Sequence, residues 1–401
     1  MSTFLRTFLV LAGVTFLGPL ALDASLPAFG AMQQGLGASA GAIKMTLGAV
    51  TAGMAAGQVV FGAMADRFGR RPIMSAGLAL FTAAAFLVTL IDSVGPMVAL
   101  RFAQGLGISA VTIASRASVR DQFDVAESAR LFAYLLVVLG FVPVIGPVVF
   151  GWMTETFGWR SIFYAMGVVS GVGWLVIILG LGETIAALDT EALRLAGVAT
   201  GYGRILWNRY FAAHLVVALG AYIVLFAIIG GIAPVMMDVL GETPRDFGLK
   251  FAGVLVANLI GASLVGWGIK LFGMRGIVAF SAAIMGISGA LFAAVAFAGQ
   301  VTATVVLVPS FVALLGFGLI NPVLAAGALT NFRAMAGRAS ALYGFSTLTI
   351  GAGTLFLLGA LDDGTARPMA VALALGGGGA VLTYIWLLRP LPVISGEGGD
   401  A

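Results

Sequence analysis

Two residues of opposite charge lie inside long apolar runs: Asp23, in the run that starts near residue 8, and Arg101, in the run that starts near Met97. An ionisable side chain at such a place is costly to bury and is a functional candidate by default. A carboxylate there either finds a cation or takes up a proton, whereas a guanidinium keeps its charge. At ~1.5 Å of rise per residue, Asp23 stands about 22 Å along a helix entering from one side of a bilayer. Arg101 stands about 6 Å along a helix entering from the other side. Both then fall in the outer half of a hydrocarbon core ~30 Å thick, at similar depth. Two readings stay open: Asp23 binds a proton or a cationic group of a ligand, or Asp23 and Arg101 form a pair that fixes two helices. Pro27, just after the acid, kinks its helix and frees backbone carbonyls, which a polar cavity tolerates.

The other polar groups inside apolar runs are neutral. Gln58, Tyr134, Tyr222, Asn258, Asn321 and Tyr343 could hydrogen-bond a ligand, although joining helices to each other is the commoner use of such residues. Asn321 is favoured among them, because Pro322 frees backbone groups beside its amide. His214 stands about five residues into its run and reads as interfacial or structural. Residues 376–379 are all glycine, but they lie inside an apolar stretch without the Lys-Ser/Thr of a phosphate loop, so they read as helix packing. No phosphate loop occurs elsewhere, which excludes ATP as the energy source. One histidine and no cysteines leave no nucleophile–base pair and no metal cluster at membrane depth. An enzyme, a metal site and a cofactor are therefore not expected.

The elements that must position these residues follow from composition. The chain of 401 residues is 60% hydrophobic and 9% charged, against about 25% charged in soluble domains. Apolar runs long enough to cross a bilayer as helices number twelve: about 8–30, 44–66, 72–92, 97–117, 128–151, 160–182, 209–233, 247–269, 276–298, 302–325, 338–360 and 367–388. The first run lacks a small-residue cleavage site and carries Asp23, so it reads as a span. The longest polar interval, 183–208, contains Glu183, Asp189, Glu191, Arg194 and Arg204. It divides the chain into a six-helix bundle at 1–182, a cytoplasmic linker at 183–208 and a second six-helix bundle at 209–401. Of the 21 Lys and Arg, Lys44, Arg160, Arg245, Lys250 and Arg367 fall at outer ends and Arg101 within a span; the other fifteen fall at cytoplasmic ends if both termini are inside. That bias satisfies the positive-inside rule. The net charge of +4 thus follows the membrane, and nucleic acid is not an expected partner.

Between the second and third runs the chain reads Gly62-Ala63-Met64-Ala65-Asp66-Arg67-Phe68-Gly69-Arg70-Arg71-Pro72. Gly62 suits a close approach of two helices and Gly69 a sharp turn. Asp66 can salt-bridge or cap a neighbouring helix, and Arg67, Arg70 and Arg71 hold the loop on the cytoplasmic side. Asp66 and Arg120, both at cytoplasmic helix ends, are expected to pair as a gate. Shifted by 204 positions, the loop falls on a degenerate copy in which Gly266, Phe272, Gly273 and Arg275 match Gly62, Phe68, Gly69 and Arg71.

This loop resembles the signature between helices 2 and 3 of the major facilitator superfamily. The segment Leu100-Arg101-Phe102-Ala103-Gln104-Gly105-Leu106-Gly107 resembles the fourth-helix motif of that family, in which a buried arginine accompanies a glutamine and paired glycines. The fifth run carries Gly140, Pro143, Gly146 and Pro147, followed by Gly151, and resembles the helix that marks antiporters within the superfamily. Its Pro143, Pro147 and Gly151, four residues apart, share one helix face. With Asp23-Ala-Ser-Leu-Pro, Gly57-Gln58, Val119-Arg120-Asp121 and Phe157-Gly158-Trp159-Arg160, these segments look like the bicyclomycin/chloramphenicol/florfenicol branch of drug:proton antiporters. Ala24 and Ser25 depart from the large polar pair usual after the acid, and Lys44 from the usual neutral amide.

The resemblance implies an all-α polytopic membrane protein with twelve transmembrane helices in two pseudo-symmetric six-helix bundles. It implies proton-coupled efflux of small, mostly apolar drugs or antibiotics by alternating access, in the bacterial inner membrane with both termini cytoplasmic. Asp23, Arg101, Gln104 and Asn321 are the expected proton-coupling or substrate-binding residues; the loop glycines and charges, with Arg120, are the expected gate. The expected partners are a small-molecule substrate, protons and the lipid bilayer, for a chain acting as a monomer. The competing expectation is a dedicated exporter of an endogenous metabolite such as a siderophore.

Overall fold

A backbone crossing hydrocarbon must satisfy its polar groups within each segment, so the long apolar runs fold as helices. The structure, a computed structural model, describes residues 3–189 and 202–392 and contains no strand among them. The chain divides into two compact units, Met1–Val198 and Ala199–Ala401. Residues 190–201 of the expected linker, Glu191 and Arg194 included, lie outside the described residues.

The first unit holds α1 (Thr3–Leu36), α2 (Ala40–Phe68), α3 (Arg70–Val88), α4 (Val94–Gln122), α5 (Val125–Phe157) and α6 (Arg160–Gly180). In the second, α7 (Arg209–Pro234) precedes a helical stretch, Pro244–Phe297, that turns sharply at Gly273. With φ 67° and ψ 170° there, the stretch is two crossings, α8 (244–272) and α9 (274–297). Then follow α10 (Ala303–Leu329), α11 (Ala336–Ala360) and α12 (Arg367–Thr383), which completes the expected twelve. Side chains fix several starts: Ser39, Asp124, Asn208, Thr243 and Thr302 each accept a backbone N–H of the first turn.

The half-chain repeat read from the loop is visible in backbone and packing. Gly69 (φ 97°) and Gly273 (φ 67°) make the same positive-φ turn 204 residues apart, a conformation glycine adopts without strain. Arg71 donates to the carbonyl of Ile178 at the end of α6 (2.6 Å), and its counterpart Arg275 to those of Arg389 (3.3 Å) and Leu391 (2.5 Å) beyond α12. α2 and α4 touch through backbone: a side chain on Gly53 would meet Phe102 O at 2.2 Å, and one on Gly105 would meet Val50 O at 2.0 Å. The second unit repeats this between α8 and α10, with Gly261 against Leu315 O and Gly318 against Asn258 O, both at 2.3 Å. Small residues permit such approaches in lipid, where dispersion rather than the hydrophobic effect joins helices. Within the glycine run, Gly376 lies against Gly220 and Gly377 against Met285, so these two serve packing as expected.

Candidate functional site

α1 is interrupted where its chemistry lies. Helix runs over Leu17–Asp23, a turn follows at Ala24 and Ser25, and a short 3₁₀ segment covers Leu26–Ala28, with Pro27 inside it. Ala21 and Ser25, four apart, share one face and turn to α4. There the fully buried Arg101 donates to Ala21 O at 2.6 Å and Ser25 Oγ at 3.3 Å. It also donates to Gln104 Oε1 at 2.9 Å and lies 5.5 Å from the centre of the Phe163 ring. The frayed carbonyl of Ala21 is thus satisfied by a guanidinium, one of the partners a broken helix requires. Ser25, read only as a departure from a polar pair, is an acceptor for Arg101.

Asp23 lies two residues from both Ala21 and Ser25, about 200° around the helix, and so points away from Arg101. The expected Asp23–Arg101 ion pair is not formed. Among the described residues the Asp23 carboxylate, 7% exposed, has no hydrogen bond or ion pair. Its own face also carries Phe16 and Leu20, at spacings of four and three residues. Those two side chains wall an apolar groove of about 420 Å³ whose other wall is α5, from Val137 to Phe150. Gly146 opens that wall and is buried with Pro147 and Gly151, while Phe141 and Ile145 stand exposed. On the α4 side, Arg101 Nε and Gln104 Nε2 are buried donors without a partner. The first unit therefore offers an apolar groove walled by Phe16 and Leu20 of α1, a buried unpaired carboxylate one turn further along that helix, and beside α4 two donors with capacity to spare.

At the cytoplasmic end the loop charges are organised differently from the sequence expectation. Arg70, not Arg120, is the partner of Asp66, at 2.5 Å, and Arg70 also binds Asp121 at 2.9 Å. Arg120 is exposed: residues 120 and 121 point about 100° apart on the helix, and Asp121 is the one that meets Arg70. The guanidinium of Arg67 lies 5.7 Å from the centre of the Phe68 ring. The close approach expected of Gly62 is not made: nothing lies within 4 Å of where its side chain would be, and the tight contacts of α2 are earlier, at Gly53 against Phe102 O and at Gly57 against Ser109.

Glu183 is the residue the sequence reading missed. Its carboxylate accepts the backbone N–H of Arg70 (3.0 Å) and Arg71 (3.2 Å) at the start of α3, and those of Thr184 (2.8 Å) and Ile185 (3.1 Å) beside it. Partial burial disfavours its charge, but these four donors outweigh that and hold its carboxyl below the ordinary value. Its position as the first acid after the sixth run was the available signal. In the second unit, Asn321 lies on α10 with a buried Oδ1 that has no partner among the described residues. His214 is buried and bonds through Nδ1 to Tyr210 O at 2.7 Å, in keeping with a structural part.

Comparison with known proteins adds four findings. Residues 11–355 match the family model described as Major Facilitator Superfamily. A bicyclomycin resistance protein homolog of Haemophilus influenzae is 27% identical over 394 residues, which is 96% of each chain. A chloramphenicol resistance protein of Pseudomonas aeruginosa is 28% identical over 376 residues, 91% of this chain and 86% of that one. A D-xylose-proton symporter crystal structure superposes with a TM-score of 0.79 over 98% of both chains, and its 16% identity makes this a likeness of fold.

Proposed function

The chain belongs to the major facilitator superfamily, and on that premise we propose that it exports small, mostly apolar compounds in exchange for protons. Membership makes it a multi-pass membrane transporter of small molecules rather than an enzyme. Export of drugs is the reading that its resistance-named relatives favour. Its place is the bacterial inner membrane, with both termini cytoplasmic as the basic residues favour, and it works as a monomer.

The observation that carries the proposal is Asp23: buried, without a cationic partner, and on the face of α1 that walls an apolar groove. A carboxylate so placed is neutralised either by a proton or by a cationic substrate, and the two compete. An apolar compound seated in the groove fits against Phe16, Leu20, Phe141 and Ile145, and its binding favours the deprotonated form of Asp23, so that substrate and proton compete. Arg101 acts in a supporting part: held by Ala21, Ser25 and Gln104, it fixes the break in α1 that presents Asp23. Alternate exposure of the site to the two sides of the membrane then ties inward protons to outward substrate. Each proton supplies about 2.3 kcal/mol per 100 mV of membrane potential, besides the pH difference.

Everted vesicles with an imposed inward-acid pH gradient test this. Chloramphenicol, or the lipophilic cation tetraphenylphosphonium, should dissipate the gradient only in vesicles that contain the protein. A gradient indifferent to a broad panel of such compounds, in vesicles with verified protein, would contradict proton-coupled drug export.

A further inference from the structure

Among the described residues of the second unit, three buried polar atoms have no partner: Ser281 Oγ, Asn321 Oδ1 and the hydroxyl of Tyr343, whose residue is 6% exposed; the last two belong to α10 and α11. Their relative position follows from how α10 and α11 pack on α7. A side chain on Gly327 would strike His214 at 2.2 Å, and the rings of Tyr222 and Phe317 meet at 5.2 Å, so α10 runs antiparallel to α7. Interpolation between those contacts sets Asn321 level with Ala218 and Leu219. Gly351 packs on Phe226 and Gly230 on Leu355, both with an offset of 125 residues, so α11 runs parallel to α7. The same offset sets Tyr343 level with Ala218. That level is nine residues into α7, about 14 Å from its start and near the middle of the ~30 Å core.

We propose that Asn321 and Tyr343 form a subsite for an uncharged hydrogen-bonding group of the substrate, with Tyr222 and Phe317 as its aromatic wall one turn away. The inference rests on the export reading above and names the chemistry of the compounds exported. An amide oxygen accepts and a phenol donates or accepts, so a secondary amide or a hydroxyl satisfies both at once. The described Asp and Glu of this unit, Asp238, Glu242, Asp246, Asp362 and Asp363, all lie at helix ends or in loops. No carboxylate therefore stands at this level to hold a cation, which is why the recognised group is neutral. An unpaired buried polar atom is destabilising, and two at one depth are explained by a ligand that pairs them.

The test is equilibrium binding of radiolabelled chloramphenicol, which carries a secondary amide and hydroxyls, to the purified full-length protein in lipid nanodiscs. Tetraphenylphosphonium, which has no hydrogen-bonding group, is the matched probe. Tyr343→Phe and Asn321→Leu should each weaken chloramphenicol binding about five- to tenfold while changing that of tetraphenylphosphonium less than about twofold. Tyr343→Phe should also melt at the same temperature as the parent or higher, because it removes an unpaired hydroxyl from the interior. Chloramphenicol binding unchanged in Tyr343→Phe, equal loss of both probes, or a lowered melting temperature would each overturn the subsite alone. So would a parent that binds tetraphenylphosphonium but not chloramphenicol. A parent that binds neither removes the export reading itself, and the subsite with it.

Discussion

The guanidinium of Arg101 makes three hydrogen bonds of unequal length, and the lengths rank what the loss of each partner should do. The bonds to Ala21 O (2.6 Å) and Gln104 (2.9 Å) are charge-assisted and well formed, whereas that to Ser25 (3.3 Å) is at the long end. A lysine at 101 keeps the charge but not the planar fork, so Arg101→Lys should destabilise the protein by about 2–4 kcal/mol. Ser25→Ala should cost less than about 1 kcal/mol and leave transport nearly intact. Thermal melting in detergent, with vesicle transport beside it, measures both. If Ser25→Ala proved as damaging as Arg101→Lys, Arg101 would not be anchored as described. At this scale the sequence identified both buried ions and their similar depth, because depth is a matter of counting at 1.5 Å per residue. Whether they face each other turns on about 200° of rotation at a broken helix, and Pro27 is too weak a marker to fix that phase.

One carboxylate ties the start of α3 to the end of α6. Glu183 collects four backbone donors, two of them the orphan N–H groups of the α3 start, and leaves no room above Gly69, where a side chain would meet it at 2.4 Å. Its carboxyl is held below the ordinary value, so its stabilisation is present above about pH 4.3 and is lost as pH falls through the lower folded-state value. Glu183→Gln should lower stability at neutral pH by about 0.5–1 kcal/mol, a modest figure because the carboxylate is exposed to solvent. The deficit should shrink as pH falls below about 4.3 and vanish only below the lowered folded-state value, where the parent is protonated as well. Melting curves of both proteins across acid pH test the sign: a deficit that grows on acidification would refute the cap. The glycine turn and its charges were legible because Gly69 needs positive φ and the motif is contiguous. Glu183 was not, since no spacing rule links a side chain to backbone more than a hundred residues away.

The twelve crossings and the half-chain repeat were legible because both are one-dimensional: apolar length, and the same loop returning after 204 residues. The repeat is expressed in the turns at Gly69 and Gly273 and in the glycine contacts at Gly53–Gly105 and Gly261–Gly318. Which of 57 glycines would carry those contacts was not legible, since Gly62 looked as suitable as Gly53. The orientation implied by the basic residues can be tested in the chain as it stands, which has no cysteine. A cysteine at exposed Gln300 should react with a membrane-impermeant maleimide applied to intact cells, and one at Arg204 only after lysis. Labelling of both from outside would overturn the topology, because three helices separate them. Coupling also belongs to the whole molecule, and it is tested most directly by substrate-induced proton release from purified protein in weakly buffered detergent, followed across about pH 6 to 9. The parent should release protons when chloramphenicol or tetraphenylphosphonium is added. Asp23→Asn, fixed in the neutral form, should release none while still exchanging neutral substrate down its gradient. Release from Asp23→Asn equal to that of the parent would contradict the assignment of Asp23 as the coupling residue.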